Sequence, residues 1–495
     1  MPLPDLIEIV PLDQPVHAEI TVPGSKSITN RALILAALAE GETTLEGALW
    51  SEDTQVMVEC LQELGFMVNV APDSNEAGNR TITVYSRGGT VPRGGTAEQP
   101  LELFVGNAGT AARFLAAFVC LGEGVYRLHG VPRMHERPQE SLFQALRELG
   151  YRIDAPNDKL PALIHGGGPR AGKCRVSIEE SSQFASALLL SAVAGGWQVE
   201  IAGENAEESP YVKMTAELIK VFPQTGGRFQ VEPDASSGSY FLAATTLVPV
   251  SSSNVAAEGH EGQGSVFKAR YQSSVSIAHW PTSGWQIDER FMVHAARFVI
   301  KPEAFESPLP LGEGMVGSAV KGARAARSSA PGAGDAEAGK GSGHRAPNPR
   351  VVSRLTDLGD GIMTLITIAP LSGEAWKFTD LGRLRVQECE RVVALRTELS
   401  RCGAKVVEAG DTLTVFPARL HGAEIETYND HRMAMCFAIL GLKVPGIRIK
   451  NPACVKKTFP NFFQKLAAPP PKGLGATIRD GQTGRVLALE ELFAA

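Results

Sequence analysis

The sequence predicts an α/β protein made of six copies of one β-α-β-α-β-β unit, grouped as two domains of three. Three observations carry that prediction. Six times a patch of Ser, Asn, Asp and Gly opens directly into an apolar helical stretch: SITNRALILAALAEG from Ser27, GNAGTAARFLAAFVCLGEG from Gly106, SSQFASALLLSAVAGG from Ser181, DASSGSYFLAATTL from Asp234, DLGDGIMTLITIAPL from Asp357 and YNDHRMAMCFAILGL from Tyr428. Self-similarity on this scale marks a supersecondary unit copied along a chain. The markers Ser27, Asn107, Ser181, Ser236, Asp360 and Asp430 are 80, 74, 55, 124 and 70 residues apart, so three of the five steps agree on one repeat length. Between markers, helical and extended patterns alternate.

The first unit shows the order. After its apolar helix, Gly41 stops the pattern and ETTLEGAL reads as a short strand. An amphipathic helix, DTQVMVECLQELG, ends at Gly65, and MVNVAP and RTITVYS follow as strands. The second unit repeats this with YRLHG, ESLFQALRELG and YRIDAP. The short third step falls at VFPQTGGRFQVEPD (221–234), where a strand pair of the third unit is expected to be missing. The long step contains residues 305–350, rich in Gly, Ala, Pro, Ser and charge with almost nothing to bury, which predicts a disordered insertion; a smaller excess lies in 251–280. Residues 467–495 read as a proline linker and a short tail.

Composition narrows the function classes. At 495 residues the chain can hold two or more cores, and 43% hydrophobic with 21% charged residues is ordinary for a globular protein. A net charge of −6 argues against a general nucleic-acid binder, while leaving room for a local cationic site. The seven cysteines (60, 120, 174, 389, 402, 436, 454) form no CxxC pair and no metal-ligand spacing, which reads as reduced thiols. The segment MPLPDLIEIVPLDQ is unlike an export signal, and no apolar run approaches the ~18 residues of a membrane span, so a cytoplasmic protein is expected.

The helix starts carry the chemistry. A helix leaves its first N–H groups unpaired, so each polar start can hold an anion, and several aimed at one cleft would make a polyanion site. PGSKSITNR brings Lys26, Ser27 and Arg31 to the first start, as a movable point charge and, one turn on, a planar fork suited to phosphate or carboxylate. Asn107, Gly109 and Thr110 open the second helix, with Arg137 following in RMHERP, and Ser181, Ser182 and Gln183 open the third. Arg391, Arg432 and Lys457 stand toward the C-terminus. Two carboxylates suit proton transfer. Asp360 opens the fifth helix within apolar sequence, where it reads equally as a base or an N-cap. Glu388 precedes Arg391 by three residues, which on a helix also allows a plain i,i+3 ion pair.

PGSKSITNRALILAALAEG, LFVGNAGTAARFLAA, RMHERP, SSQFASALL, DASSGSYFLAA, DLGDGIMT and TYNDHRMAM…KNPACVKKTFPNFF, in that order, closely resemble the 5-enolpyruvylshikimate-3-phosphate synthase family. The resemblance implies the enolpyruvyl transferase fold, two inverse α/β domains of three units each, here 1–24 with 234–466 and 25–233. It implies transfer of a carboxyvinyl group from phosphoenolpyruvate to the 5-hydroxyl of shikimate 3-phosphate, on the route to chorismate and aromatic amino acids, by a monomer with no metal or organic cofactor. Lys26, Ser27, Arg31, Ser181, Ser182, Gln183 and Ser209 would then hold shikimate 3-phosphate. Asn107, Gly109, Arg137, Arg391, Arg432 and Lys457 would grip phosphoenolpyruvate, which Lys26 also faces. Asp360 would accept the hydroxyl proton, and Glu388 would protonate the vinyl carbon. Two positions depart from the pattern: Gln387 replaces a usual lysine and Arg383 a usual asparagine, so Arg383 is expected to restore the charge that Gln387 lacks. The competing readings are the related UDP-N-acetylglucosamine carboxyvinyltransferases, which carry Lys-Asn where this chain has Lys26-Ser27, and an anion-binding relic without turnover.

Overall fold

The computed structural model describes residues 3–203, 209–247, 274–298 and 348–494. Four sheets share one topology, in which an edge strand lies parallel to its neighbour and two further strands follow antiparallel. In the first unit the order is Gly227–Gln230, Glu40–Leu49, Asn79–Arg87, Met67–Pro72. In the second it is Leu101–Phe104, Glu123–His129, Ala162–Gly167, Arg152–Asp154, and in the fifth Arg350–Ser353, Trp376–Thr379, Thr412–Val415, Val406–Ala409. The third and fourth units contribute one parallel pair each among the described residues: Gly172–Ser177 with Trp197–Ala202, and Ser274–Ile277 with His17–Ile20. Among the described residues the third unit therefore shows no counterpart of the strand pair its short sequence step leaves out.

The sixth sheet corrects the reading of the C-terminus. Its order is Glu424–Ile425, Ile447–Lys450, Leu6–Ile9, Ile478–Asp480, so the stretch read as a linker and tail supplies a strand paired with the start of the chain. Leu474, Ala476, Ile478, Leu487 and Leu492 are buried in the same core. Local patterning missed this because a three-residue strand whose partner lies at the opposite end of the chain carries no periodicity of its own. The proposed insertion lies outside the described residues except for its last three positions, with Arg350 opening a strand.

Two hydrophobic cores result. One is built from residues between 3 and 22 and between 240 and 494, the other from residues between 28 and 231. At the centre of the second core the helices Lys26–Leu38, Gly109–Phe118 and Ser182–Gly195 pack on one another; Ala235–Leu247, Ile362–Ile368 and His431–Gly441 do the same in the first. Ten successive residues, Ile28 to Ala37, are buried in the first of these helices, as expected for a helix apolar on every side. Amphipathic helices such as Glu52–Glu63 and Glu140–Glu148 turn one buried face toward the central helices and the strands beside them.

The chain crosses between cores twice, and there it exchanges strands. His17–Ile20 precedes the first helix in sequence but pairs in the other core, while Gly227–Gln230 returns to the first sheet. The crossing segments bond to each other: Ser25 N donates to the Glu232 carbonyl at 2.8 Å and Asp234 N to that of Pro23 at 2.9 Å. Gly24 is required at this crossing, since a Cβ would sit 2.0 Å from the Gly47 carbonyl oxygen. All six central helices start near this junction, which sets up the cleft. Among the described residues no helix is long and apolar enough to cross a membrane.

Candidate active site

One cleft lies between the two cores, and it collects starts of the central helices from both. Nine lysines and arginines line it against six aspartates and glutamates, so an acidic chain concentrates positive charge at this one place. Ser25 and Ala108 precede helices without any side-chain cap, which leaves backbone N–H groups there for an outside acceptor. Ser181 and Asp430 instead cap their own helices through Gln183 N and Arg432 N.

Asp360 sits in a cage of guanidinium groups. Its Oδ1 accepts from Arg354 Nη2 at 2.6 Å, while Oδ2 lies 3.1 Å from Arg432 Nε and 3.6 Å from Arg391 Nη1. Burial would push this carboxyl up, but Arg432, Arg354 and Arg391 outweigh it and hold the group well below the usual carboxylate range. Asp360 is not an N-cap: the neighbouring backbone is bound by Asp288, which accepts from Gly359 N at 2.7 Å and Gly361 N at 3.0 Å.

Glu388 precedes the helix Arg391–Arg401 rather than lying on it, because the chain turns between Val386 and Glu390. The turn lets its carboxylate bridge Arg391 Nη2 at 2.8 Å and Lys457 Nζ at 3.4 Å. Burial opposes ionisation there too, and Arg391 and Lys457 again reverse the direction and hold the group down. Arg391, itself buried, thus touches both carboxylates, and its Nε donates to Asp430 at 2.7 Å. Gln387 accepts from Arg391 Nη1, and Arg383 Nη2 donates across the cleft to the Ile178 carbonyl at 2.6 Å.

Most predicted site residues line the cleft: Lys26, Ser27, Arg31, Gly109, Arg137, Ser181, Ser182, Gln183, Asp360, Arg383, Gln387, Glu388, Arg391, Arg432 and Lys457. Lys26 Nζ lies 3.0 Å from Asp53 at the cleft wall. Two do not reach it. Asn107 presents its backbone carbonyl to Arg137 Nη1 at 3.2 Å, so it steadies that arginine from behind. Ser209 is buried at the head of Pro210–Val221, where Pro210 and Tyr211 face the cleft in its place. Arg31 differs from expectation in another way. Its guanidinium donates to Thr215, Ser27, Ser186 and Tyr211, and burial draws it down to about 10, so most of its fork is spent inside the lobe.

Sequence reasoning passed over Arg113, Arg354, Tyr211, Asp288 and His431, all of which line the cleft. Arg113 was findable: it follows Gly109 by four residues as Arg31 follows Ser27, and its Nη1 donates to Gln183 at 2.6 Å. His431 is buried with neither ring nitrogen hydrogen-bonded, and burial holds it neutral. Gly109 packs beneath Arg137; a Cβ would lie 2.5 Å from Nη2. Gly109→Ala is therefore expected to displace Arg137 and raise KM for the ligand it holds about tenfold or more, the loss of one charge-assisted hydrogen bond, with steady-state kinetics as the check.

Two inverse α/β cores around a cationic cleft that holds two ion-paired carboxylates define the enolpyruvyl transferase class. Solved structures agree at the level of fold: EPSP synthase from Acinetobacter baumannii superposes with a TM-score of 0.65 at 18% identity, covering 96% of this chain and 99% of that one. The enolpyruvyl transferase NikO from Streptomyces tendae gives 0.57 at 13% identity, covering 96% and 98%. The family model for EPSP synthase (3-phosphoshikimate 1-carboxyvinyltransferase) matches residues 11–269 and 340–466. Relatives named 3-phosphoshikimate 1-carboxyvinyltransferase include that of Trichormus variabilis, 35% identical over 93% of this chain and 98% of its own length, and that of Opitutus terrae, 34% identical over 94% and 98%. The chain belongs to the EPSP synthase family.

Proposed function

We propose that this protein transfers the carboxyvinyl group of phosphoenolpyruvate to the 5-hydroxyl of shikimate 3-phosphate and releases phosphate. One observation carries the reading: two carboxylates, Asp360 and Glu388, flank one buried arginine in a cationic cleft between two cores, which suits them to accept and donate a proton. Without ligand, both carboxylates serve as counter-ions for the cations that the substrates need. When phosphoenolpyruvate takes up Arg391, Arg432, Arg137 and Lys457, its charge replaces theirs. Asp360 then recovers proton affinity and accepts the 5-hydroxyl proton, while Glu388 becomes able to carry a proton to the vinyl C3. C3 protonation makes C2 electron-poor, the 5-oxygen adds there, and a tetrahedral adduct forms. Reversal of both proton movements expels phosphate by C–O cleavage.

Lys26, Ser27, Ser181, Ser182, Gln183 and Arg383 hold shikimate 3-phosphate, and Arg31 keeps the wall they stand on in place. Segments 1–24 with 234–494 and segment 25–233 act as two bodies that close on the ligands, in a monomeric cytoplasmic enzyme. A nucleotide-sugar acceptor is disfavoured by Ser27 and by the names of the relatives. Phosphate release with shikimate 3-phosphate, compared with UDP-N-acetylglucosamine and with no acceptor, tests the assignment; release without regard to acceptor would defeat it. Gln387→Lys gives up the acceptor used by Arg391 Nη1 but offers the ligand a charged hydrogen bond in place of a neutral one, a difference of about 1 kcal/mol at the ligand, so KM for shikimate 3-phosphate is expected to fall about fivefold. Arg383→Ala should raise the same KM if Arg383 supplies the charge.

A further inference from the structure

Asp288 belongs to none of the six helix starts, yet its side chain is bound to two of them. It arrives on the short turn Ile287–Arg290 and is almost fully buried at the floor of the cleft. Oδ1 accepts from Gly359 N at 2.7 Å and Oδ2 from Gly361 N at 3.0 Å, so the carboxylate spans the backbone on both sides of Asp360. Ser236, at the start of the fourth helix, donates to Oδ2 at 2.5 Å. The neighbouring Gln286 accepts from Ala235 N at 3.0 Å and donates to the Pro233 carbonyl at 2.8 Å, which fixes this turn to the point where the chain crosses between cores.

We infer that Asp288 is the positioning residue for Asp360, the clamp that sets the backbone of the proton acceptor relative to the inter-core crossing. The inference rests on the assignment of Asp360 as the base. The chemistry of the clamp requires a carboxylate. Three donors from two helix starts converge on its two oxygens, and an amide could accept at only one atom while turning its own N–H groups toward a backbone N–H. The close fit is visible at Gly361, where a Cβ would meet Asp288 Oδ1 at 2.8 Å although the backbone φ of −58° accepts alanine. Burial pushes the Asp288 carboxyl up and the charge of Asp360 adds to the rise, which Ser236, Gly361 N and Arg432 offset only in part.

The test compares Asp288→Asn, Gly361→Ala and Asp360→Ala in the full chain. Displacing a reacting group by about 1 Å costs on the order of a hundredfold, so Asp288→Asn is expected to lower kcat by that factor. KM for both substrates should stay within about threefold, since the anion-binding groups are untouched. Gly361→Ala should give the same kcat-only loss by pressing on the clamp from the other side. Asp288→Asn added to Asp360→Ala should cost nothing more, because a clamp has no purpose without the group it positions. A merely structural Asp288 would raise both KM values and stay additive with Asp360→Ala. An Asp288→Asn enzyme with unchanged kcat would overturn the inference; should that variant fail to fold, an unaltered kcat in Gly361→Ala would do so. Turnover surviving in Asp360→Ala would instead remove the base assignment.

Discussion

Asp360→Ala is expected to abolish turnover, lowering kcat by about 10²–10⁴-fold, while leaving phosphoenolpyruvate binding intact or tighter. The two halves of that expectation have different causes. On the proposed roles turnover falls because the neighbouring carboxylates are engaged elsewhere: Glu388 pairs with Arg391 and Lys457, and Asp288 is occupied by Ser236 and two backbone N–H groups. Binding survives because Asp360 neutralises Arg354, Arg391 and Arg432 in the unliganded cleft. Removing it leaves three guanidinium groups without their shared counter-ion, and an anionic ligand becomes the best replacement. Steady-state phosphate release and calorimetric titration with phosphoenolpyruvate measure the two effects separately. Activity within tenfold of wild type would show that another group accepts the proton. Lost binding would show that Asp360 is needed to hold the site together.

The same cage explains how far the sequence could be read. Residues whose role follows from their place at a helix start were legible, because the start is a local pattern repeated six times: Lys26 and Ser27, Gly109, Ser181 to Gln183, Asp360 and Arg432 all line the cleft. So was the β-α-β-α-β-β order, since in the second unit Leu101–Phe104 pairs with Glu123–His129 and Arg152–Asp154 with Ala162–Gly167, each its neighbour in sequence. What failed was long-range. Asp288 has no signature in QIDER, and only the packing of that turn under Gly359 and Gly361 gives it a function. Arg31 looked like a ligand fork until Thr215 and Ser186, distant in sequence, took up its donors. The C-terminal strand escaped notice because its partner, Leu6–Ile9, is the first strand of the chain.

Arg391→Met should be more damaging to the folded state than any other single change in the site. Methionine matches the aliphatic stem but removes a charge that is 1% exposed and touches Asp360, Glu388 and Asp430. Breaking a buried ion pair from one side typically costs about 3–5 kcal/mol, because the partner is left charged and desolvated. Here three partners are left, of which Glu388 retains Lys457 and Asp360 retains Arg354 and Arg432, while Asp430 keeps the backbone N–H of Arg432. The pH dependence has a definite sign. Asp360 and Glu388 are depressed in the folded protein, so their stabilisation is present above the ordinary carboxylate range and is lost as pH falls through their folded values. Without Arg391 both folded values rise, and that loss begins at higher pH. Acid unfolding followed by circular dichroism should therefore show a midpoint displaced upward in Arg391→Met, with a smaller displacement in Arg391→Lys, which keeps the charge but not the fork. An unmoved midpoint would mean that Arg391 is paired with these carboxylates only in geometry and carries little of their energy.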